Sequence, residues 1–157
     1  MAEPLANRII EKIGQTAGLY HRLVMVVAPA GAGKTVALQG VNECMAAPII
    51  NVNFELSRRM LDLTERQRAL QLPGILAEIV EAAKAEVVLL DNIEILFDVS
   101  LKQDPLRLLQ GLSRNKTVVA AWSGSIDDEY MVYATPGHPE YKRYPLRDCL
   151  IVTPEAI

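Results

Sequence analysis

Short apolar runs alternate along the chain with segments in which apolar residues recur at helical spacing. The apolar runs predict five β-strands, because strands buried on both faces lack the polar alternation of half-exposed ones. We expect these strands over residues 23–28, 49–54, 87–90, 116–123 and 150–153. The third run is apolar throughout, which indicates a strand in the interior of a sheet.

The segments before and between these strands predict helices. Apolar residues at positions 5, 9, 10 and 13 form one stripe, which predicts a leading helix over residues 3–18. A second helix is expected over residues 35–45, directly after the first strand. Residues 55–70 are charged and compatible with a third helix.

A proline and a capping pair predict where later helices end and begin. Pro73 and the glycine after it are expected to interrupt the helical pattern, which resumes over residues 75–85. Asp104 stands at a typical N-cap position before a proline at the first helical position. This pair predicts a helix over residues 105–112.

This alternation is typical of an α/β fold in which a five-stranded parallel sheet lies between two layers of helices. The chain has 157 residues, which suits one domain with residues 1–18 as a leading segment and 19–153 as its core. Ligands of such sheets bind beyond the carboxyl ends of the strands. We therefore expect the functional residues to follow the strands directly.

Composition and charge narrow the class of protein. Half of the residues are apolar and 5% are aromatic, so the core is expected to consist of aliphatic side chains. The net charge of −3 argues against a general polyanion binder but is compatible with a local basic patch, so direct binding to nucleic acid stays open. No apolar run approaches the ~20 residues of a membrane helix, and the N-terminus lacks a signal-peptide core. These features predict a soluble cytoplasmic protein with no membrane association.

The first predicted strand leads into a glycine-bearing loop and a Lys-Thr pair. The segment reads Ala28-Pro29-Ala30-Gly31-Ala32-Gly33-Lys34-Thr35. It differs from the phosphate-binding pattern G-x-x-x-x-G-K-[ST] only at Ala28, a tolerable change where positive φ is not required. We expect the loop from Pro29 to Gly33, with Lys34, to bind the phosphates of ATP, and Thr35 to coordinate Mg²⁺.

Acidic residues near the second and third strands supply candidates for the rest of this site. Asp91 ends the apolar third strand, and we expect it to order the Mg²⁺ shell. Glu94 is the next acid and is the first candidate for activating water. Glu55, expected at the end of strand two, is the second candidate. A third possibility is that neither acts and hydrolysis is slow or absent.

The fourth predicted strand ends in a hydroxyl, that of Ser123. A polar side chain at this position can hold the attacking water or contact the γ-phosphate. The alternative is that Ser123 is an ordinary turn residue. Trp122, just before it, is expected to pack in the core rather than to stack on a base.

The sequence resembles the AAA+ and related ATPases in three features. They are the glycine-bearing loop, the Val-Val-Leu-Leu-Asp-Asn segment that ends at Asn92, and the polar tip of strand four. The resemblance covers residues 19–153 and implies a P-loop NTPase αβα sandwich with sheet order 5-1-4-3-2. In that family a glutamate usually follows the aspartate, and here Asn92 takes its place. The sequence ends soon after the fifth strand, so we expect no helical lid.

The same resemblance implies that residues near strand five act in an oligomer. Arg147 precedes that strand, where oligomeric ATPases of this kind often carry an arginine that completes a neighbour's catalytic site. The alternative is an exposed charged turn. The long connection before strand five carries several tyrosines, which favours a surface for partner proteins, although these side chains can also pack on the sheet.

The Asp-Asn-Ile-Glu-Ile-Leu-Phe segment over 91–97 and the Gly-His-Pro-Glu-Tyr segment over 137–141 give a narrower resemblance. Together with the size of the chain, they resemble the small P-loop proteins of type 3 BREX phage-defence systems in bacteria. This resemblance implies an ATPase subunit that works with other defence proteins.

Three functions follow from these patterns. The first is a small ATPase, either a monomer or a homo-oligomer, that uses the residues named above. The second is a nucleotide-dependent interaction module that does not hydrolyse ATP, which Asn92 favours. The third is a small-molecule kinase, disfavoured because the sequence has no arginine-rich closing segment. Use of GTP is disfavoured because the Asn-Lys-Thr-Val segment at 115–118 lacks a guanine-binding aspartate.

Overall fold

The computed structural model describes residues 4–154 and has an α/β fold built on a five-stranded parallel sheet. The sheet strands are β1 (Leu23–Ala28), β2 (Ile49–Asn51), β3 (Val87–Asp91), β4 (Thr117–Ser123) and β8 (Leu150–Val152). Their spatial order is β2-β3-β4-β1-β8, and all neighbouring pairs are parallel. The predicted α/β class and parallel sheet are confirmed.

Helices cover both faces of this sheet. They are α1 (Leu5–Gly14), α2 (Lys34–Cys44), α3 (Val52–Arg59), α4 (Glu65–Ala82) and α5 (Pro105–Leu112). Helices α1 and α2 pack on one face, and α3, α4 and α5 pack on the other. Successive residues of β1 point to opposite faces and are buried on both, which explains the continuous apolar run. Within residues 4–154, no helix has the length and apolarity needed to span a bilayer.

The second strand is shorter than the sequence predicts. It stops at Asn51, whose side-chain oxygen accepts a hydrogen bond of 3.0 Å from the backbone N–H of Phe54. This contact is an N-cap, so helix α3 begins at Val52. The predicted strand over 49–54 was therefore wrong in its second half, because the asparagine starts a helix within the apolar run.

The predicted interruption at Pro73 is also wrong, since helix α4 runs through it from Glu65 to Ala82. A proline has no backbone N–H, so Pro73 leaves the carbonyl of Ala69 without its usual helical donor. The side chain of Gln103 donates a hydrogen bond of 2.8 Å to this carbonyl. A residue distant in sequence therefore replaces the missing helical bond.

The leading helix is shorter than the predicted 3–18. It ends at Gly14, and the chain reaches Gly18 through turns. Thr16 follows the helix, and its hydroxyl donates a 2.7 Å hydrogen bond to the carbonyl of Ile13. Residues 1–3, part of the predicted leading segment, lie outside the described residues.

The long connection before β8 forms a second sheet, which the apolar pattern did not predict. Its antiparallel strands are β5 (Ser125–Asp127), β6 (Tyr130–Tyr133) and β7 (Lys142–Pro145). Trp122 is fully buried at the end of β4, and its indole N–H donates a 3.0 Å hydrogen bond to the carbonyl of Val132. This bond and the packing of Met131 in the core attach the small sheet to the carboxyl edge of the large one.

Candidate functional site

A cavity of about 780 Å³ lies at the carboxyl ends of the parallel strands. One wall is the loop between β1 and α2, and another is formed by the ends of β3 and β4. The third wall comes from the small sheet and the connection between β6 and β7. The cavity therefore lies where an α/β sheet is expected to bind ligands.

The loop after β1 has the backbone shape that its glycines predict. Gly31 and Gly33 adopt φ values of +81° and +93°, which other residues adopt only with strain. Gly33 is the N-cap of α2, so the first N–H groups of that helix have no helical acceptor. Such a helix start favours an anion such as phosphate. Ala28 is the extended last residue of β1, which explains why no glycine is required there.

The loop residues do not all contribute to the cavity wall. Ala30, Gly31 and Gly33 line the cavity. Pro29 and Ala32 instead close the turn, with the backbone N–H of Ala32 donating a 3.2 Å hydrogen bond to the Pro29 carbonyl.

Lys34 is 7% exposed and lines the cavity at the start of α2. Its amino group donates hydrogen bonds of 2.9 Å to the carbonyls of Ala28 and Pro29. Burial lowers the pKa of this amine, and the negative charges of Glu94 and Asp91 partly oppose that effect. The amino group is thus held at the loop, partly dehydrated, where an anion would interact with it favourably.

Thr35 and Asp91 come together from α2 and β3. The Thr35 hydroxyl donates a 2.8 Å hydrogen bond to one carboxylate oxygen of Asp91, and the other oxygen accepts a 3.0 Å bond from the backbone N–H of Asn92. Both side chains line the cavity. A hydroxyl and a carboxylate are hard oxygen ligands, and so small a set suits Mg²⁺, which keeps several waters.

Asn92 follows Asp91 with a φ of +52°. Asparagine adopts this left-handed conformation more readily than other non-glycine residues. Its carbonyl accepts a 2.8 Å hydrogen bond from the backbone N–H of Asn53 at the start of α3. The backbone bend at Asn92 therefore ties β3 to the neighbouring helix.

Glu94 begins a short 3₁₀ helix, Glu94–Phe97, immediately beyond this bend. Its carboxylate accepts a 2.8 Å hydrogen bond from the Ser123 hydroxyl at the tip of β4 and a 3.3 Å bond from the side-chain amide of Asn53. The amide oxygen of Asn53 accepts a 2.8 Å bond from the backbone N–H of Ile95. Three elements thus fix the carboxylate at the cavity wall.

The sequence predicted Glu55 at the end of a strand. It lies instead in the first turn of α3. Its carboxylate pairs with Arg58 at 2.7 Å and with Arg59 at 3.9 Å. It is not among the residues that line the cavity. The helix that starts at Val52 turns Glu55 away from the site and places Asn53 beside it.

The end of β6 and the connection after it contribute residues that sequence reasoning missed, namely Tyr133, Ala134, His138 and Glu140. The Tyr133 ring stacks on Phe97, with ring centroids 3.6 Å apart. Burial raises the pKa of Tyr133 to about 12, with smaller contributions from the charges of Glu140 and Glu94. The two prolines and the glycine around His138 favour turns, but no local pattern indicates where the connection packs.

Arg147 lies apart from this cavity. It is exposed in a 3₁₀ turn, Leu146–Asp148, and lines a separate depression beside Asp128 and Glu129. Within one chain it therefore makes no contribution to the cavity wall.

The cavity combines groups suited to binding an anion, holding a divalent cation and orienting water. The loop and Lys34 attract negative charge, while Thr35 and Asp91 offer oxygen ligands. Ser123 orients the carboxylate of Glu94. Neither the family models nor the curated proteins include a match to this chain.

Proposed function

We propose that this protein binds Mg²⁺-ATP and hydrolyses it as a small P-loop ATPase of the AAA+ type. The observation that carries the proposal is the 2.8 Å contact between Thr35 and Asp91 beside the buried Lys34. An acidic residue at the end of a strand is common, but this one meets the hydroxyl that follows a glycine loop and a lysine. That combination supports a metal-bound triphosphate better than any other ligand.

Each residue then has a defined task. The loop N–H groups and Lys34 bind the β- and γ-phosphates, and Thr35 and Asp91 hold Mg²⁺, which neutralises phosphate charge. Glu94 accepts a proton from the attacking water, and Ser123 and Asn53 keep its carboxylate in place. The tip of β4 and the 3₁₀ helix after β3 thus jointly position the water.

The test is Mg²⁺-ATP hydrolysis measured against protein concentration, with Lys34→Ala as the inactive variant. Lys12→Ala, on α1 and outside the cavity, is the matched control. We expect turnover that Lys34→Ala abolishes and Lys12→Ala leaves unchanged. ATP binding that survives Lys34→Ala would refute the assignment of the loop.

A second function has its own supporting observation. The carboxylate of Glu94 is already hydrogen-bonded by both Ser123 and Asn53, and Asn92 stands where related ATPases carry a glutamate. This arrangement favours a module that binds ATP without hydrolysing it and presents an ordered surface to a partner. Tight ATP binding with no turnover at any protein concentration would select this second function.

The ATPase proposal extends to an oligomer in which Arg147 serves the neighbouring site. It is exposed and lines a depression separate from the cavity of its own chain, which is compatible with that role. Mixing Arg147→Ala with Glu94→Gln protein is then expected to restore part of the activity, because some interfaces combine two intact halves. In the control mixture, Arg143→Ala takes the place of Arg147→Ala. Absence of rescue in the mixture of Arg147→Ala and Glu94→Gln would exclude a shared site.

The resemblance to the BREX proteins supports one further step. We propose that the protein works in the cytoplasm with other proteins of a bacterial phage-defence system. In a host that carries the whole system, Lys34→Ala is expected to remove protection in a plaque assay without lowering the amount of protein. Full protection by that variant would contradict this role.

A further inference from the structure

The connection between β6 and β7 is built from two consecutive turns. In the first, the backbone N–H of His138 donates a 2.9 Å hydrogen bond to the carbonyl of Thr135. Pro136 and Gly137 occupy its central positions, and Gly137 has a φ of +94°. A central proline followed by a positive-φ glycine is the signature of a type II turn. The proline reduces the freedom of the chain just before His138.

The second turn fixes the ring of His138. The backbone N–H of Tyr141 donates a 3.0 Å hydrogen bond to the carbonyl of His138, with Pro139 in between. The backbone N–H of Glu140 donates a 3.0 Å bond to the ring Nδ1. Because Nδ1 accepts this bond, the neutral ring carries its proton on Nε2. His138 therefore offers one N–H donor from a defined position.

This donor lies on the wall of the same cavity as the phosphate loop. The Tyr133 ring, at the start of the connection, stacks on Phe97 of the short 3₁₀ helix that begins with Glu94. Glu94 and Lys34 mark the place of a terminal phosphate in the proposed function. The β6–β7 connection therefore adjoins the side of the cavity where the proposed function puts the γ-phosphate.

The other charged side chains of the cavity indicate why a donor at His138 would favour phosphate binding. Among the described residues that line the cavity, Lys34 and His138 are the only basic ones. Asp91, Glu94 and Glu140 line it as well, and their carboxylates repel phosphate oxygens. In the proposed function the γ-phosphate lies nearest to these carboxylates. A second donor would therefore offset more repulsion for a triphosphate than for a diphosphate.

We propose that the Nε2–H of His138 donates a hydrogen bond to the terminal phosphate of bound ATP, so that this residue makes the site prefer triphosphate to diphosphate. The inference rests on the proposed nucleotide site and adds a specificity-determining residue to it. The β6–β7 connection is then the part of the fold that detects the length of the phosphate chain.

The test compares equilibrium affinities for Mg²⁺-ATP and Mg²⁺-ADP, measured by titration calorimetry. We expect His138→Ala to weaken ATP binding by about tenfold, the size of one hydrogen bond to a charged group, and to leave ADP binding unchanged. His138→Gln keeps an N–H donor and is expected to retain most of the preference. His21→Ala, the other histidine of the chain, lies outside the cavity and is the matched control.

The outcomes separate this inference from the proposed function. An ATP-to-ADP preference that is the same in His138→Ala and the wild type overturns the inference, while nucleotide binding that depends on Lys34 leaves the proposed function standing. Equal losses for ATP and ADP in His138→Ala also overturn it, since they indicate a general effect on the cavity. A wild-type protein that binds neither nucleotide refutes both.

Discussion

The Ser123 hydroxyl donates a 2.8 Å hydrogen bond to the Glu94 carboxylate, which joins two segments that are far apart in the sequence. Ser123 ends the strand β4, and Glu94 begins a 3₁₀ turn after the neighbouring strand β3. Parallel pairing of these strands brings their carboxyl ends together, so the serine meets the glutamate. The contact fixes the acid that we expect to activate water.

Substitution of Glu94 tests that expectation directly. Glu94→Gln is expected to lower kcat for ATP hydrolysis by about 10²–10⁴-fold, the usual contribution of a general base, with little change in ATP affinity. Glu55→Gln is the matched control, because Glu55 is paired with arginines on α3 outside the cavity. Equal losses in the two variants, measured by steady-state phosphate release, would remove Glu94 from this role.

The contact between Thr35 and Asp91 predicts a metal effect. Asp91→Asn keeps the shape of the side chain but removes its charge, so the Mg²⁺ concentration needed for half-maximal ATP binding is expected to rise. Thr35→Ser keeps the hydroxyl and is expected to behave like the wild type, whereas Thr35→Val is not. The measurement is ATP binding across a Mg²⁺ titration, with circular dichroism to confirm that each variant is folded. Unaltered Mg²⁺ dependence in Asp91→Asn would place the metal elsewhere.

The bond from Gln103 to Ala69 predicts coupling with Pro73. Gln103→Ala is expected to lower the free energy of unfolding by about 1 kcal/mol, because the Ala69 carbonyl loses its donor. In a Pro73→Ala background, residue 73 has a backbone N–H that can donate to the Ala69 carbonyl. The loss of unfolding free energy caused by Gln103→Ala should then be smaller. It should not vanish, since Gln103 also donates to the Leu101 carbonyl at 2.7 Å. Urea unfolding of both single variants and the double variant measures the coupling, and strict additivity would argue against it.

The raised pKa of Tyr133 predicts that the folded protein loses stability at alkaline pH. Its pKa is raised from 10.0 to about 12, so the folded state holds the phenol proton more tightly than the unfolded chain. The associated stability is present below pH 10 and is lost as the pH rises from about 10 towards 12. Tyr133→Phe keeps a ring against Phe97 and removes this proton.

The free energy of unfolding of Tyr133→Phe is therefore expected to fall less steeply than that of the wild type across this pH range. Tyr20→Phe, at an exposed tyrosine outside the cavity, is the matched control. The measurement is chemical unfolding at several alkaline pH values. Parallel pH profiles for the wild type and Tyr133→Phe would show that the Tyr133 phenol makes no such contribution.

The sequence by itself determined the α/β class, the glycine loop between a strand and a helix, and Asp91 at the end of β3. These features depend on neighbours in the chain. Strands buried on both faces need continuous apolar runs, and a left-handed backbone at Gly31 and Gly33 favours glycine. The N-cap at Asp104 was predictable for the same local reason, since its carboxylate accepts from the backbone N–H of Arg107.

Only the tertiary structure decided what depends on partners distant in sequence. Pro73 remains within a helix because Gln103 donates to the carbonyl that the proline leaves free, and the Glu94 carboxylate is held by Asn53 from α3 and Ser123 from β4. The connection carrying His138 forms part of the cavity wall because the small sheet is attached through Trp122. Local propensity carries no information about such contacts, since each depends on how separate segments pack.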